Sequence, residues 1–506
     1  MYFYKKSIMK KNIILLLLSF WFLPVHSQYT NVPDSIFEQE LIDQGIDTNP
    51  TIDHQVLTSN IDNLITLVIE KDNIISFEGL QNFINLETLN IIGFNPAPTL
   101  NLENNFLLKN LILNGFGNIL SLDLTNNVHL ETIDISSNSL TNLNIDACIN
   151  LKELYLYYCP ITYIDLSNNL NLGKLSLAGL SFASLNINNN VALKRIALLN
   201  MQFTAIDFSN NINLEDLLLR NIPFTSLDFS NNINLKMITL RNLGGPITIF
   251  NSLLFSNNIN LKKLIVDNVS FYPTVNLQNN LQLETCILRS TGLYYLDLLN
   301  NNSLKNLRIE FNFFTAINIQ NLNQLQIFGC SYNNISSLNF DNKPFLEVLY
   351  CDNNNLQNLS IQNGANSLLN GTISGTPTND KFIATNNPNL RCIYVDDVSN
   401  CSSNWLSKDA ASFYVSTTQE CNLLSTTTNL NIKFTLSPNP VDNFLNISTS
   451  IDLEIYSIKI YTIDGKLIQV SYNNFEQLDL SNLVAGIFTI EINTNSGKYF
   501  KKLLKK

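Results

Sequence analysis

"FTAIDFSNNINL" (Phe203–Leu214) is followed, 21 residues on, by "FTSLDFSNNINL" (Phe224–Leu235), with two positions changed. A fixed period of this size marks a repeat architecture. Aligned on the closing leucine, the phrase L-x-x-L-x-L begins at Leu64, Leu86, Leu108, Leu130, Leu151, Leu172, Leu193, Leu214, Leu235, Leu261, Leu283, Leu304, Leu325 and Leu346. A closing unit begins at Leu390. The step is 21 or 22 residues except at an insertion around Gly244–Pro246 and a Gly/Thr/Asn-rich excursion between Ile361 and Asn387.

Within the unit from Leu130 the apolar residues are Leu130, Ile133, Ile135, Leu140, Leu143 and Ile145. Alternation at Ile133 and Ile135, and again at Leu143 and Ile145, has the period of a strand buried on one face. Each unit therefore predicts two extended segments joined by tight turns. No unit can bury its apolar row alone, but coils stacked about 4.8 Å apart share a core and a parallel ladder. Asn pairs such as Asn126–Asn127, Asn210–Asn211 and Asn231–Asn232 recur where the chain turns. Asparagine bonds neighbouring main-chain groups, so these pairs predict a structural ladder across the turns.

The chain has 506 residues, 45% hydrophobic and 14% charged, with a formal charge of -11. That is ample core material, and the acidity argues against general nucleic-acid binding. Lys5, Lys6, Lys10 and Lys11 precede an apolar run and then "VHSQ", the pattern of a secretory signal over residues 1–27. Its loss would take the charge from -11 to -15. Residues 28–63 read as an N-terminal cap, with a helix starting at Pro33–Asp34 and an apolar face of Phe37, Leu41 and Ile42. Repeats fill 64–363, an insertion and C-terminal repeat cap 364–421, and a Thr-rich linker 422–430. From 431 to 506 alternating strands with turn signals at Asp464–Gly465 and Ala485–Gly486 predict a small β-sandwich.

The repeats resemble the bacterial leucine-rich repeat family, whose L-x-x-L-x-L-x-x-N/C-x-L core reads as "LETIDISSNSL" (Leu130–Leu140) and "LKELYLYYCPI" (Leu151–Ile161). The resemblance implies a solenoid with a parallel β ladder of short 21–22-residue coils. Leu180, Met201, Ile222, Leu243 and Val269 depart from the family's Asn or Cys. The last segment resembles the type A sorting domain of type IX secretion cargo, through "SPNP" at Ser437–Pro440, "DGK" at Asp464–Lys466, "IFTIEI" after Gly486 and the basic end Lys501–Lys506. It implies engagement of type IX secretion machinery through 431–506, and a place in the medium or on the outer surface of a Gram-negative bacterium.

No chemistry assembles in the sequence. His54 and His129 stand apart, no C-x-x-C zinc spacing exists, and no nucleophile motif appears, so neither enzyme activity, metal nor cofactor is expected. Asp123, Asp165, Asp207, Asp228 and Asp297 form an acidic column, expected to be an outward polar row. Cys286, Cys330 and Cys351 occupy buried slots, Cys148 and Cys159 replace Asn, and a Cys392–Cys421 bridge is expected, leaving Cys401 without a partner.

Strand positions pointing out of the sheet carry Tyr155, Tyr157, Arg195, Leu218, Arg220, Arg241, Lys263, Ile287, Arg289 and Arg308. Arginine and aromatic residues among aliphatic ones are interface chemistry. Pairing with Asp216, Asp267 and Glu310 into solvated ladders is the competing expectation. The chain thus reads as an exported recognition protein that binds a protein or carbohydrate through this face, with adhesion as the expected use. The alternative is a structural spacer or self-associating component of the cell surface.

Overall fold

The computed structural model describes residues 29–427 and 434–506, apart from 94, 95, 97, 98, 116–118, 137, 138, 225, 244–248, 251–253, 272–274, 374–379, 450–453, 464, 495 and 496. The signal segment and the Gly244–Pro246 insertion lie outside the described residues.

The x-L-x-L part of each phrase from Leu64 to Leu346 becomes a rung of one 15-stranded parallel sheet, running without crossover from Thr66–Ile69 to Phe382–Ile383. Registers are one coil to the next, as in Lys174↔Arg195 and Arg195↔Asp216. The inward residues of every rung join a continuous core. Among the described residues most of the second extended segments form no strand, and only short pairs such as Ser121–Leu122 with Asn142–Leu143 bond across coils. The apolar residues there are nonetheless buried, because packing needs the extended geometry and not the ladder.

The turns between coils carry the Asn ladder. Asn232 donates from Nδ2 to Phe208 O (2.9 Å) and Asn211 O (2.9 Å), and Asn211 does the same one coil earlier to Ile187 O and Asn190 O. Cys148 and Leu322 interrupt the column, while Lys343 fills it with a buried Nζ that donates to Gln320 O (3.2 Å). A second ladder runs beneath the strand ends near the C-terminus. There Asn312, Asn333, Asn354 and Asn387 bridge coils, as when Asn312 Oδ1 accepts from Thr291 N (3.0 Å) and Leu293 N (3.2 Å).

The N-terminal cap pairs Tyr29–Asn31 with Gln55–Leu57 and packs helix α1, Ser35–Asp43, over the end of the core. Asp34 caps α1, accepting from Ile36 N and Phe37 N, and its second oxygen takes Ile75 N (2.7 Å). Phe37 and Leu41 are buried as expected, but Ile42 is only half-buried, and Glu38 and Glu40 are buried in its stead. Glu38 is drawn in because its carboxylate bonds the main chain of the following loop. A four-residue helix, α2, spans Thr58–Ile61.

At the other end the sequence placed the last sheet strand after Leu390. The structure instead uses Phe382–Ile383, inside the excursion, and sends Cys392–Val395 to a second, 4-stranded sheet with Asn358–Ile361 and Phe413–Val415. Phe382 and Ala384 replace the usual leucines, which hid the rung. Helix α3, Val398–Asn404, leads to Trp405, stacked on Phe382 at 4.6 Å. The expected linker is partly helical: α4 spans Thr418–Thr427. Glu420 explains its start, since its N–H donates to Thr417 Oγ1 (3.3 Å) while its carboxylate accepts from Ser416 N (2.7 Å). Cys421 on α4 is disulfide-bonded to Cys392. Cys401 is free and buried, its thiol 3.6 Å from Asn366 Oδ1.

The C-terminal segment is an antiparallel sandwich. One sheet orders Phe434–Ser437, Phe444–Thr449 and Leu478–Asp479. The other orders Leu467–Ser471, Ile455–Thr462, Gly486–Thr494 and Gly497–Lys505. Ile458, Ile460, Ile490, Ile492 and Leu503 alternate into its own core.

Candidate functional site

Because a rung's residues alternate across the sheet, three columns of side chains stand on its solvent face. Register puts Tyr155 beside Asp134 and Ser176, Leu218 beside Ala197 and Thr239, and Arg220 beside Arg241. All ten residues expected on this face belong to these columns, at strands Glu153–Tyr157 through Asn306–Arg308.

Their partners differ. Tyr155 donates to Glu153 (2.7 Å) and Tyr157 to Ser176 Oγ (3.0 Å). Burial, then the Glu153 carboxylate, raises the Tyr155 phenol above its usual value. Arg195 pairs with Asp216 at 2.9 Å, Arg289 with Asp267 at 2.8 Å and Arg308 with Glu310 at 2.6 Å. Lys263 and Ile287 are half-buried. Among the described residues Arg220 and Arg241 have no ion-pair partner, and Arg241 Nε is buried without a hydrogen bond. Beside them runs an exposed amide ladder in left-handed backbone, Asn221 donating to Asn200 Oδ1 (2.6 Å), Asn242 to Asn221 Oδ1 (2.8 Å) and Asn268 to Asn242 Oδ1 (3.0 Å).

Two places on the face differ from the plain columns. A shallow depression is lined by Tyr155, Ser176, Arg195, Asp216, Leu218 and Met237. Further along, Arg308 lies over the Tyr350 ring (5.7 Å), and Glu310 Oε2 and Tyr350 Oη are buried with no hydrogen-bond partner. Gly329 makes this arrangement possible, because a Cβ there would stand 2.5 Å from Glu310 Oε1. Sequence reading stopped at Arg308 and Glu310. Gly329 and Tyr350 hold the same outward position in the next two coils, so the repeat register alone locates them.

The acidic column has a local role. Asp123, Asp165, Asp207 and Asp228 each accept from the backbone N–H two residues on, at 2.8–2.9 Å, and Asp297 takes Leu299 N at 3.0 Å. These bonds hold the carboxyls of Asp123, Asp165 and Asp207 below their usual range, and for Asp297 the Gln278 amide contributes most. Asn144 and Asn186 do the same job elsewhere, so the position selects a turn-forming acceptor. The free thiols are all buried, and burial pushes Cys148, Cys286 and Cys401 up to about 12, away from nucleophilic use.

Residues 435–506 match the secretion system C-terminal sorting domain. No curated protein matches the chain in sequence. Among solved structures, the functional domain of InlJ from Listeria monocytogenes, described as including a cysteine ladder, superposes with TM-score 0.56 at 17% identity, covering 95% of this chain and 99% of that one. The internalin InlF of the same organism gives TM-score 0.42 at 18% identity, covering 76% and 94%. Coils of 21–22 residues around one parallel ladder give this chain a leucine-rich repeat fold, and its last segment is a secretion system C-terminal sorting domain, the mark of a secreted or cell-surface protein.

Proposed function

We propose that the protein is a recognition module of a Gram-negative cell surface, binding a protein or carbohydrate through the solvent face of its long sheet, with adhesion as its use. The observation that carries this reading is the Arg220–Arg241 pair. Two cations sit in register on neighbouring strands of an acidic chain, neither in an ion pair among the described residues, since Asp267, next in register to Arg241, pairs with Arg289 instead. Like charges side by side cost stability, and a ligand carboxylate, sulfate or uronic acid offsets that cost. Tyr155, Leu218 and Met237 supply adjoining apolar contact. A glycan and surface-protein binding screen, run with the parent and Arg220→Ala/Arg241→Ala, tests it. A ligand lost in the double variant supports the reading, and a ligand held equally by both removes this face from it.

One observation favours the structural alternative. Ile149, Leu170, Val191, Ile212, Ile233, Ile259 and Leu281 are all about half exposed, one per coil, along the turn edge. An apolar row this regular is an association surface. Sedimentation of Ile212→Lys/Ile233→Lys beside the parent separates the two readings: self-association abolished by the lysines marks a self-assembling component.

A further inference from the structure

The geometry points to a calcium-binding site in the N-terminal cap, formed by Glu38, Asp47 and Asp53. One carboxylate oxygen from each lies within 4.8 Å of the others. Two of the three are deep: Glu38 is 0% exposed and Asp47 4%. Glu38 Oε1 accepts from Asp53 N (2.7 Å) and His54 N (2.9 Å), and Asp47 Oδ1 accepts from Asn49 N (3.0 Å). The second oxygens, Glu38 Oε2 and Asp47 Oδ2, are buried and accept no hydrogen bond. The half-exposed His54 ring stands beside the first of these, its Nδ1 3.5 Å from Glu38 Oε2. Asp53 completes the group from the surface, its Oδ1 on Gln55 N (3.1 Å) and its Oδ2 on Asn49 Nδ2 (2.8 Å).

Buried carboxylates with free lone pairs are costly unless something positive meets them. All donors are hard oxygens, which suit calcium and not zinc. Oxygens within 4.8 Å of one another can share one ion, and calcium accepts an irregular oxygen shell where magnesium requires a near-ideal octahedron. The ion would fasten the loop from Asp47 to Asp53 onto α1, which covers the open end of the core. Nothing in the residue pattern points to it, because an all-oxygen site leaves no His or Cys spacing to find. The site stands independently of the binding face.

The test is calorimetric titration of the chelator-treated protein with CaCl2, beside thermal unfolding with and without it. The expected result is one site per chain and a melting temperature raised by about 2 °C or more, with a weaker response to MgCl2. Asp47→Asn keeps the Oδ1 bond to Asn49 and should fold, yet lose affinity at least about tenfold. Glu38→Gln should lose it further, but risks the cap itself. No binding heat at millimolar calcium, or a response unchanged in Asp47→Asn, overturns the proposal.

Discussion

Replacing Asn312 by alanine should destabilise the solenoid by about 4 kcal/mol, and replacing Asn232 by alanine by about 1 kcal/mol or less. Both are buried asparagines bridging coils, so propensity and burial alone predict equal losses. Their bonding differs. Asn312 Oδ1 is the acceptor for the buried N–H groups of Thr291 and Leu293. Removing it orphans two donors at about 2 kcal/mol each. Asn232 serves only carbonyls that hold other bonds, since Phe208 O also accepts from Asn211 N (3.0 Å) and Asn211 O from Leu214 N (3.1 Å). Losing two such bonds costs about 1 kcal/mol each, offset by removal of Asn232 Oδ1, which is buried and unpartnered. Nature has made this change in the column already, at Cys148 and Leu322. Urea unfolding followed by circular dichroism, with amide exchange at Thr291 and Leu293 as the local readout, measures the pair. Equal losses, or a larger loss at Asn232, would refute the reasoning.

Stability should hold above about pH 5 and fall below it, read as melting temperature against pH. Lys174, Lys236 and Lys305 hold Glu153, Glu215 and Glu284 below their usual range, and backbone N–H groups do so for Asp123, Asp165 and Asp207. These groups bind fewer protons folded than unfolded, so their contribution is present above the ordinary carboxyl values and disappears as pH drops through the lowered ones. Opening the Cys392–Cys421 bridge, which closes a separation of 29 residues, should cost roughly 3–4 kcal/mol at the C-terminal cap; Cys421→Ser with limited proteolysis of α4 checks it. Gly329→Ala should turn Glu310 away from Arg308 at a stability cost of about 1 kcal/mol. A binding loss larger than the stability loss would place that cluster in the ligand site.

What was legible in the sequence followed from periodicity. The coil length, the sheet and its outward columns depend on apolar residues recurring at fixed offsets, and one misplaced residue does not erase such a pattern. Phe382–Ile383 escaped because an excursion broke the period and Ala384 stood where leucine was expected. The buried Glu38 escaped because its reason is tertiary: the main-chain donors it satisfies arrive from 15 and 16 residues away. The acidic column was legible as a polar row, but its turn-forming role needed the observed bond to the N–H two residues on. Pairing on the face was legible in part: Asp216, Asp267 and Glu310 pair as the competing expectation had it, but Arg220 and Arg289 occupy equivalent positions and only Arg289 meets an acid.

That difference bears on function. The polar demands of folding are met inside the turns and beneath the strand ends, by the two asparagine ladders. Residues on the sheet's solvent face contribute little to this, and exposed pairs such as Arg195 with Asp216 contribute up to about 1 kcal/mol. The face is thus free to vary without loss of the coil, and a residue kept there needs a reason other than stability. Strands spaced about 4.8 Å apart put Arg220 beside Arg241, and Asp267, which pairs with Arg289, stands on Arg241's other side. Asp216 and Asp267 take Arg195 and Arg289 into ion pairs, and Arg220 and Arg241 stay outside them. Arg220 and Arg241, outside any ion pair among the described residues, are therefore the residues on which the proposed binding reading rests.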